Sequence, residues 1–308
     1  MAKSNTTQHK GWGGDWTEEK LDCFEKYVRA YLTIMNKNRD KYNWKLMYFD
    51  GFAGCGDRQI TCEENTSVSL FGDEEFDTKE LQVYQGAAER VLKIEKDMRG
   101  FDYYYFIDMY EENLTRLELK LAQYQTKGQK AYRPGDANRW ILELASYLKS
   151  HSKTKVLCLL DPFGMNIQWK SIVAIAGTGV DLWILVPTGS IVNRLIQNNG
   201  TLRYPDKLED FFGLPAEAIS DRFYREEEIP GDLFSNEQKE VRKVKNVIQE
   251  IAQLYNEQLG NLFDYVTPKP LTLRNSKGVP IFHFVCASYN QTAVKIAHQI
   301  IAKKQSNR

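Results

Sequence analysis

A mostly parallel α/β sheet of the Rossmann-like kind, with helices on both faces and a C-terminal antiparallel hairpin, is the fold that this sequence predicts. Three observations predict it. Short, continuous apolar runs alternate with longer stretches of helical periodicity. Four of these runs lead into a turn that carries an aspartate: Asp50, Asp108, Asp136 and Asp161. Beyond Gly189 the alternation lapses, and two last strand-like runs are joined by Asn275-Ser276-Lys277-Gly278. Strands that are apolar along their whole length are buried on both faces, the mark of a parallel sheet between helical layers.

In order, residues 16–35 place Leu21, Phe24, Val28, Tyr31, Leu32 and Met35 at helical spacing. Thr17 is expected to cap this helix, with Glu18 and Glu19 in its first turn, and the polar run 36–43 is expected to end it. Residues 45–49 read as a strand entering the turn Asp50-Gly51-Phe52-Ala53-Gly54-Cys55-Gly56. A polar, irregular insertion comes next at about 57–80, then a helix over 81–98 and a strand over 103–107 ending in Asp108. A helix over 111–124 and a weak strand over 130–133 lead to Gly135-Asp136-Ala137-Asn138. Next come a helix over 140–149 and the most apolar strand, 156–160, which runs into Asp161-Pro162-Phe163-Gly164. A helix over 169–176 and a strand over 182–186 complete the regular part. Short helices are expected at 191–197 and 208–212, and residues 222–228 are densely charged. A long helix is expected over 237–259 with a basic segment at 239–245, then strands over 263–273 and 281–287 and a final helix over 291–303. The domain reading is a flexible polar N-terminus, 1–15, and one domain over 16–308 with insertions at about 57–80 and about 190–260.

Composition narrows the function. Lysine plus arginine total 41, as do aspartate plus glutamate, so net charge does not support tight, non-specific DNA binding. There is no apolar run long enough to span a bilayer. Residues 1–14 lack the basic-then-apolar order of a signal peptide, so a cytoplasmic location is expected. Cys23, Cys55, Cys62, Cys158 and Cys286 form no C-x-x-C pair and read as free thiols. His9, His151, His283 and His298 form no metal-ligand pattern, and no metal is expected.

The chemistry rests on the four aspartate turns. The Asp50–Gly56 turn has the glycines that let backbone approach a ligand, but neither a full G-x-G-x-x-G nor the G-K-[ST] of a phosphate loop. An acidic residue at this tip suits a cationic amine, such as that of S-adenosylmethionine, and repels a pyrophosphate. Asp108 stands where nucleotide-binding α/β folds place a ribose acceptor; its plainer role is an N-cap. Asp136 is positioned for an adenine amine; its plainer role is a turn residue. Asp161 heads a stiff loop whose Phe163 offers a stacking face, against the plainer reading of a turn with a buried aromatic. The candidate cofactor-binding residues are therefore Asp50, Gly51, Phe52, Ala53, Gly54, Gly56, Asp108, Met109, Asp136 and Ala137. The candidate catalytic residues are Asp161, Pro162 and Phe163.

Taken together, Trp16-Thr17-x-x-Lys20, the Asp50–Gly56 turn, Phe106-Ile107-Asp108, Gly135-Asp136-Ala137-Asn138, Leu160-Asp161-Pro162-Phe163-Gly164-Met165 and Trp183-Ile184-Leu185-x-Pro187-Thr188-Gly189 resemble the three-Cys-motif partner protein family. The likeness runs over about residues 16–301. It implies a class I, S-adenosylmethionine-dependent methyltransferase-like core that works with a second, three-Cys-motif protein, often in phage-related or mobile gene neighbourhoods. The Asp161 loop also resembles the D-P-P-[YF] loop of methyltransferases that act on adenine or cytosine amines. It departs from that loop, because Phe163 replaces the second proline and Gly164 the aromatic.

Two functions are thus open. One is methyl transfer to an acceptor, with a nucleic-acid base amine first among them. The other is a catalytically silent methyltransferase-like module that binds or scaffolds its partner.

Overall fold

The computed structural model describes residues 15–55, 86–162, 164–229 and 238–306. The sequence-predicted insertion at about 57–80 and most of the polar N-terminus lie outside them.

Helix α1 (Asp15–Tyr42) buries Leu21, Phe24, Val28, Tyr31 and Leu32 along one stripe. A side chain of this size stabilises by about 1.5–3 kcal/mol when fully buried. The helix does not end at residue 35. Asn36 donates to the Arg99 carbonyl at 2.6 Å, and Arg39, itself buried, reaches the Gly100 carbonyl at 2.8 Å and Asp102 at 2.6 Å. Tertiary anchors therefore carry the polar stretch another two turns, to Asn43, whose φ of 53° stops the helix. Thr17 is not the N-cap; it lies inside the helix, fully buried.

Five strands come next in the expected alternation: β1 (Lys45–Asp50), β2 (Tyr103–Asp108), β3 (Gln129–Pro134), β4 (Thr154–Leu160) and β5 (Val180–Val186). Between them lie α2 (Ala87–Lys93), α3 (Glu111–Leu121), α4 (Ala137–Ser150) and α5 (Trp169–Ile175). After β5 come a π turn (Thr188–Val192), α6 (Pro205–Phe212), α7 (Ala216–Phe223), an antiparallel ribbon β6 (Tyr224–Ile229) and β7 (Gln238–Lys243), and α8 (Val247–Gly260). The chain closes with β8 (Tyr265–Val266), β9 (Leu271–Arg274), β10 (Pro280–Ser288) and α9 (Gln291–Ser306).

The sheet order is β3-β2-β1-β4-β5-β10-β8, with β9 also on β10. The first five strands are parallel; β10 is antiparallel to β5 and to β8 and β9. The expected doubly wound, mostly parallel sheet and its antiparallel C-terminal end are both present. Helices α1, α2, α3 and α9 cover one face, and α4 to α8 cover the other.

Two expectations after Gly189 are corrected. The basic segment 239–245 is not helical: most of it is β7, which pairs with β6 over Tyr224↔Lys243 to Ile229↔Gln238. A helix starts only at Val247, behind Asn246 with φ at 60°. The run 263–273 is two short strands, since Pro268 and Pro270 cannot donate to a ladder.

Candidate functional site

Parallel neighbours β1 and β4 are where the winding reverses. From β1 the connections α2 and α3 run over one face to β2 and β3; from β4 onward α5 lies on the other. In open α/β sheets the loops on either side of such a point diverge, and ligands bind at the carboxyl edge there.

The glycine turn after β1 is laid across three strand ends. The Gly51 N–H donates to the Leu159 carbonyl of β4 at 2.9 Å, and the Ala53 N–H donates to the Ile107 carbonyl of β2 at 2.8 Å. The Gly54 N–H, in a residue with φ of 61°, donates to the Asp108 carboxylate at 3.1 Å. A Cβ on Gly51 would come within 2.7 Å of the Leu160 side chain, so close packing explains that glycine. Gly51 and Ala53 are buried and Phe52 is half-buried.

Strand alternation decides where the acids point. On β1, Tyr48 and then Asp50 face the α1 layer; on β4, Leu157 and Leu159 do so, and Asp161 continues the series. Asp50 is 2% exposed, accepts the Tyr48 hydroxyl at 2.9 Å and accepts the Phe52 N–H at 3.2 Å. Burial pushes its carboxyl up to about 7, against the pull of those two donors. Asp161 is 3% exposed, and its Oδ2 accepts from the ammonium of Lys20, which is 1% exposed. Burial pulls the Lys20 ammonium down and pushes the Asp161 carboxyl up; their mutual attraction opposes both. The second Asp161 oxygen, Oδ1, is buried and has no hydrogen-bond partner.

The outer tips are arranged differently. Asp108 accepts from Gly54 N, Tyr110 N and Asn113 Nδ2 at 3.1, 2.9 and 2.8 Å. Burial raises its carboxyl, and these donors lower it. Its neighbour Met109 is exposed. Asp136 is exposed and is the N-cap of α4, accepting the Asn138 N–H at 2.9 Å. Ala137 is buried behind it. The local rule for a strand-tip acid before a helix is fulfilled here.

The structure thus brings Asp50, the glycine turn and Asp161 to adjacent strand tips and places Asp108 beside them. Asp136 stands one strand further out. Pro162 is buried; Gly56 and Phe163 lie outside the described residues. Three contributors went unassigned in the sequence. Tyr48 had a signal, since it sits two residues before Asp50 on the same face. Asn138 is buried and joins two loops: its Nδ2 donates to the Asn166 carbonyl at 2.7 Å, and its Oδ1 accepts Gln168 N and Ser171 Oγ, both at 2.9 Å. Lys20 stood only in the Trp16-Thr17-x-x-Lys20 run, with nothing to tie it to Asp161, 141 residues away.

A separate groove of about 290 Å³ runs between β1–β3 and α4, lined by Phe49, Tyr103, Tyr105, Arg133, Trp140 and Tyr147 among others. No acidic strand tip lines it. Among the described residues no cluster of His, Cys, Asp and Glu is arranged to hold a metal ion. Cys23, Cys55, Cys158 and Cys286 are buried free thiols. No helix among the described residues is long and apolar enough to cross a membrane.

No family model matches the chain, and no curated protein matches it by sequence. Among solved structures it is similar to an S-adenosylmethionine-dependent methyltransferase from Clostridium acetobutylicum, at 9% identity and a TM-score of 0.33, over 89% of this chain and 92% of that one. It is also similar to a Staphylococcus aureus structure assigned as a caffeoyl-CoA O-methyltransferase, at 11% identity and a TM-score of 0.30, over 91% and 95% of the two chains. At these scores neither likeness bears on activity or ligand.

Proposed function

We propose that the protein is an S-adenosylmethionine-dependent methyltransferase whose acceptor is a nucleic-acid base amine. The observation that carries this reading is the pair of buried carboxylates, Asp50 and Asp161, at adjacent strand tips behind a glycine turn. Buried carboxylates favour a cationic ligand and penalise a phosphate. A sulfonium that also bears an ammonium suits such a crevice; a dinucleotide does not.

The residues present fit that cofactor. Asp50 and the Gly51–Gly54 turn would hold its amino-acid end, and Asp108, at the neighbouring tip, its ribose. Bound there, it supplies an already activated methyl group. The protein's own part is positioning, since proximity and orientation supply much of the rate in such transfers. Asp161 would hold an acceptor amine through Oδ1, the oxygen that no protein donor uses. Pro162 stiffens the loop that carries it. A three-Cys-motif partner that helps capture the acceptor belongs to the same proposal and rests on the sequence resemblance.

A second reading, a silent binding module, draws on Asp108, whose oxygens already accept three protein donors. Calorimetry with S-adenosylmethionine separates the two. The methyltransferase reading expects binding near micromolar, about −8 kcal/mol. Absence of heat at millimolar cofactor overturns it.

A further inference from the structure

The site contains a residue that neither the strand-tip pattern nor the glycine turn calls for. Lys20 comes from α1, ahead of β1 in the chain, and enters from the helical layer to meet Asp161 beyond the end of β4. A lysine and an aspartate this deeply buried are costly. The desolvation of both ions offsets most of their attraction, and an apolar pair of equal volume is often as stable. The pair is thus weak evidence for stability and calls for another explanation.

The geometry supplies one. Lys20 engages a single oxygen of Asp161 and leaves the other buried without a donor. An orphaned buried acceptor is costly, and a water, an ion or a ligand satisfies it. Asp161 is not alone in this. Thr17 Oγ1, one helical turn before Lys20 on the same face of α1, is buried without a partner, and so is Ser190 Oγ in the π turn after β5. That turn adjoins the Asp161 loop: a Cβ on Gly164 would lie 3.3 Å from Ile191. Two of these unpartnered oxygens thus lie on adjoining loops, and the third lies one turn from Lys20.

We infer that Lys20 is a positioning residue. It keeps Asp161 a carboxylate inside an apolar setting, takes up Oδ2, and so presents Oδ1 as a fixed anionic acceptor for the N–H of a ligand amine. Burial pushes the Asp161 carboxyl up and the ammonium holds it down, so loss of the ammonium shifts Asp161 toward the uncharged form, which no longer holds an amine by charge. The inference rests on the proposed cofactor reading, and its test is built to fail separately from it.

Two nucleosides make the test. One is S-adenosylhomocysteine, which has nothing where the transferable methyl stands. The other is the amine analogue of S-adenosylmethionine, in which a carbon-borne ammonium stands at that place and points toward the acceptor. Calorimetry at pH 7.5 reads the ratio of their dissociation constants in the wild type, Lys20→Arg, Lys20→Gln and the neutral double variant Lys20→Met with Asp161→Asn. The wild type should prefer the amine analogue at least tenfold. Lys20→Arg should keep that preference. Lys20→Gln and the double variant should bring it to within about twofold of unity, with S-adenosylhomocysteine affinity unchanged. A merely structural lysine predicts that both ligands weaken together and the ratio survives. The inference is overturned by a tenfold preference that persists in Lys20→Gln, or by no preference in the wild type. Should Lys20→Gln not fold, the double variant, with neither charge of the pair left, decides alone by the same ratio. If neither nucleoside binds the wild type at 1 mM, the cofactor reading falls and takes the inference with it; binding without the preference removes only the inference.

Discussion

The four strand-tip aspartates occupy equivalent places in the topology and are used in two ways. The outer two, Asp108 and Asp136, serve the segments just after them: each accepts a backbone N–H at the helix start at 2.9 Å and a side-chain amide from the same helix, Asn113 or Asn138. The inner two, Asp50 and Asp161, are the most deeply buried and take side-chain partners, the Tyr48 hydroxyl of the same strand and the Lys20 ammonium of α1, with the Phe52 N–H also on Asp50. The difference lies in the segment that each strand enters. β2 and β3 lead directly into helices whose orphan N–H groups attract a carboxylate. β1 and β4 lead into loops at the switch point, so their acids have no helix end to serve and face the α1 layer instead. An acidic strand tip is therefore taken up by a helix start in the outer strands and left to face the helical layer where the winding reverses.

Mutation can break this contrast. The largest effect is expected at the inner pair: Lys20→Met leaves a buried carboxylate without its ion partner and should lower stability by about 3–5 kcal/mol in urea unfolding at pH 7. A loss under 1 kcal/mol would place the pair among weak surface contacts. Asp50 should act with the opposite sign and depend on pH. Its folded-state carboxyl lies up near 7, above the ordinary 3.8, so the native state binds the proton more tightly than the unfolded chain. The resulting cost grows as pH rises from about 4 and is complete above about 7. Asp50→Asn should therefore raise the unfolding midpoint at pH 8 and leave it unmoved below pH 4; a midpoint shift independent of pH would show that Asp50 is not held protonated.

The outer pair should respond more mildly. Asn138→Ala removes the bridge between the Asp136 turn and the loop after β4, at about 2 kcal/mol by the loss of buried polar partners. Asp136→Ala removes one N-cap, at about 1 kcal/mol, with S-adenosylmethionine affinity unchanged or nearly so. If Asp136→Ala instead abolishes nucleoside binding while the protein stays folded, the outer tip is a ligand contact and the division between inner and outer tips does not hold.

How far these features could be read in the sequence depends on range. The strands were legible because a doubly covered strand is apolar at every position, as Val156 to Leu160 are. The tips were legible because each comes directly after its strand. The features that escaped depended on distant partners. The last two turns of α1 look like a helix end until Arg39 meets Asp102 and the Gly100 carbonyl. β7 looks helical because a two-stranded ribbon outside the main sheet buries too little of either face to impose a period of two. Lys20 looks like one more surface lysine in an amphipathic helix, and only the closed fold shows it beneath the end of β4.

The seating of α1 also couples the site to the last helix. The helix that delivers Lys20 rests on the sheet through Phe24 and Tyr27 against Trp183. It is held from the outside by α9: Lys304 binds Asp22 at 2.6 Å, and Val294, Ala297 and Ile301 share its core. A substitution on α9, far from every acidic tip, can therefore reach Asp161 through the seat of α1.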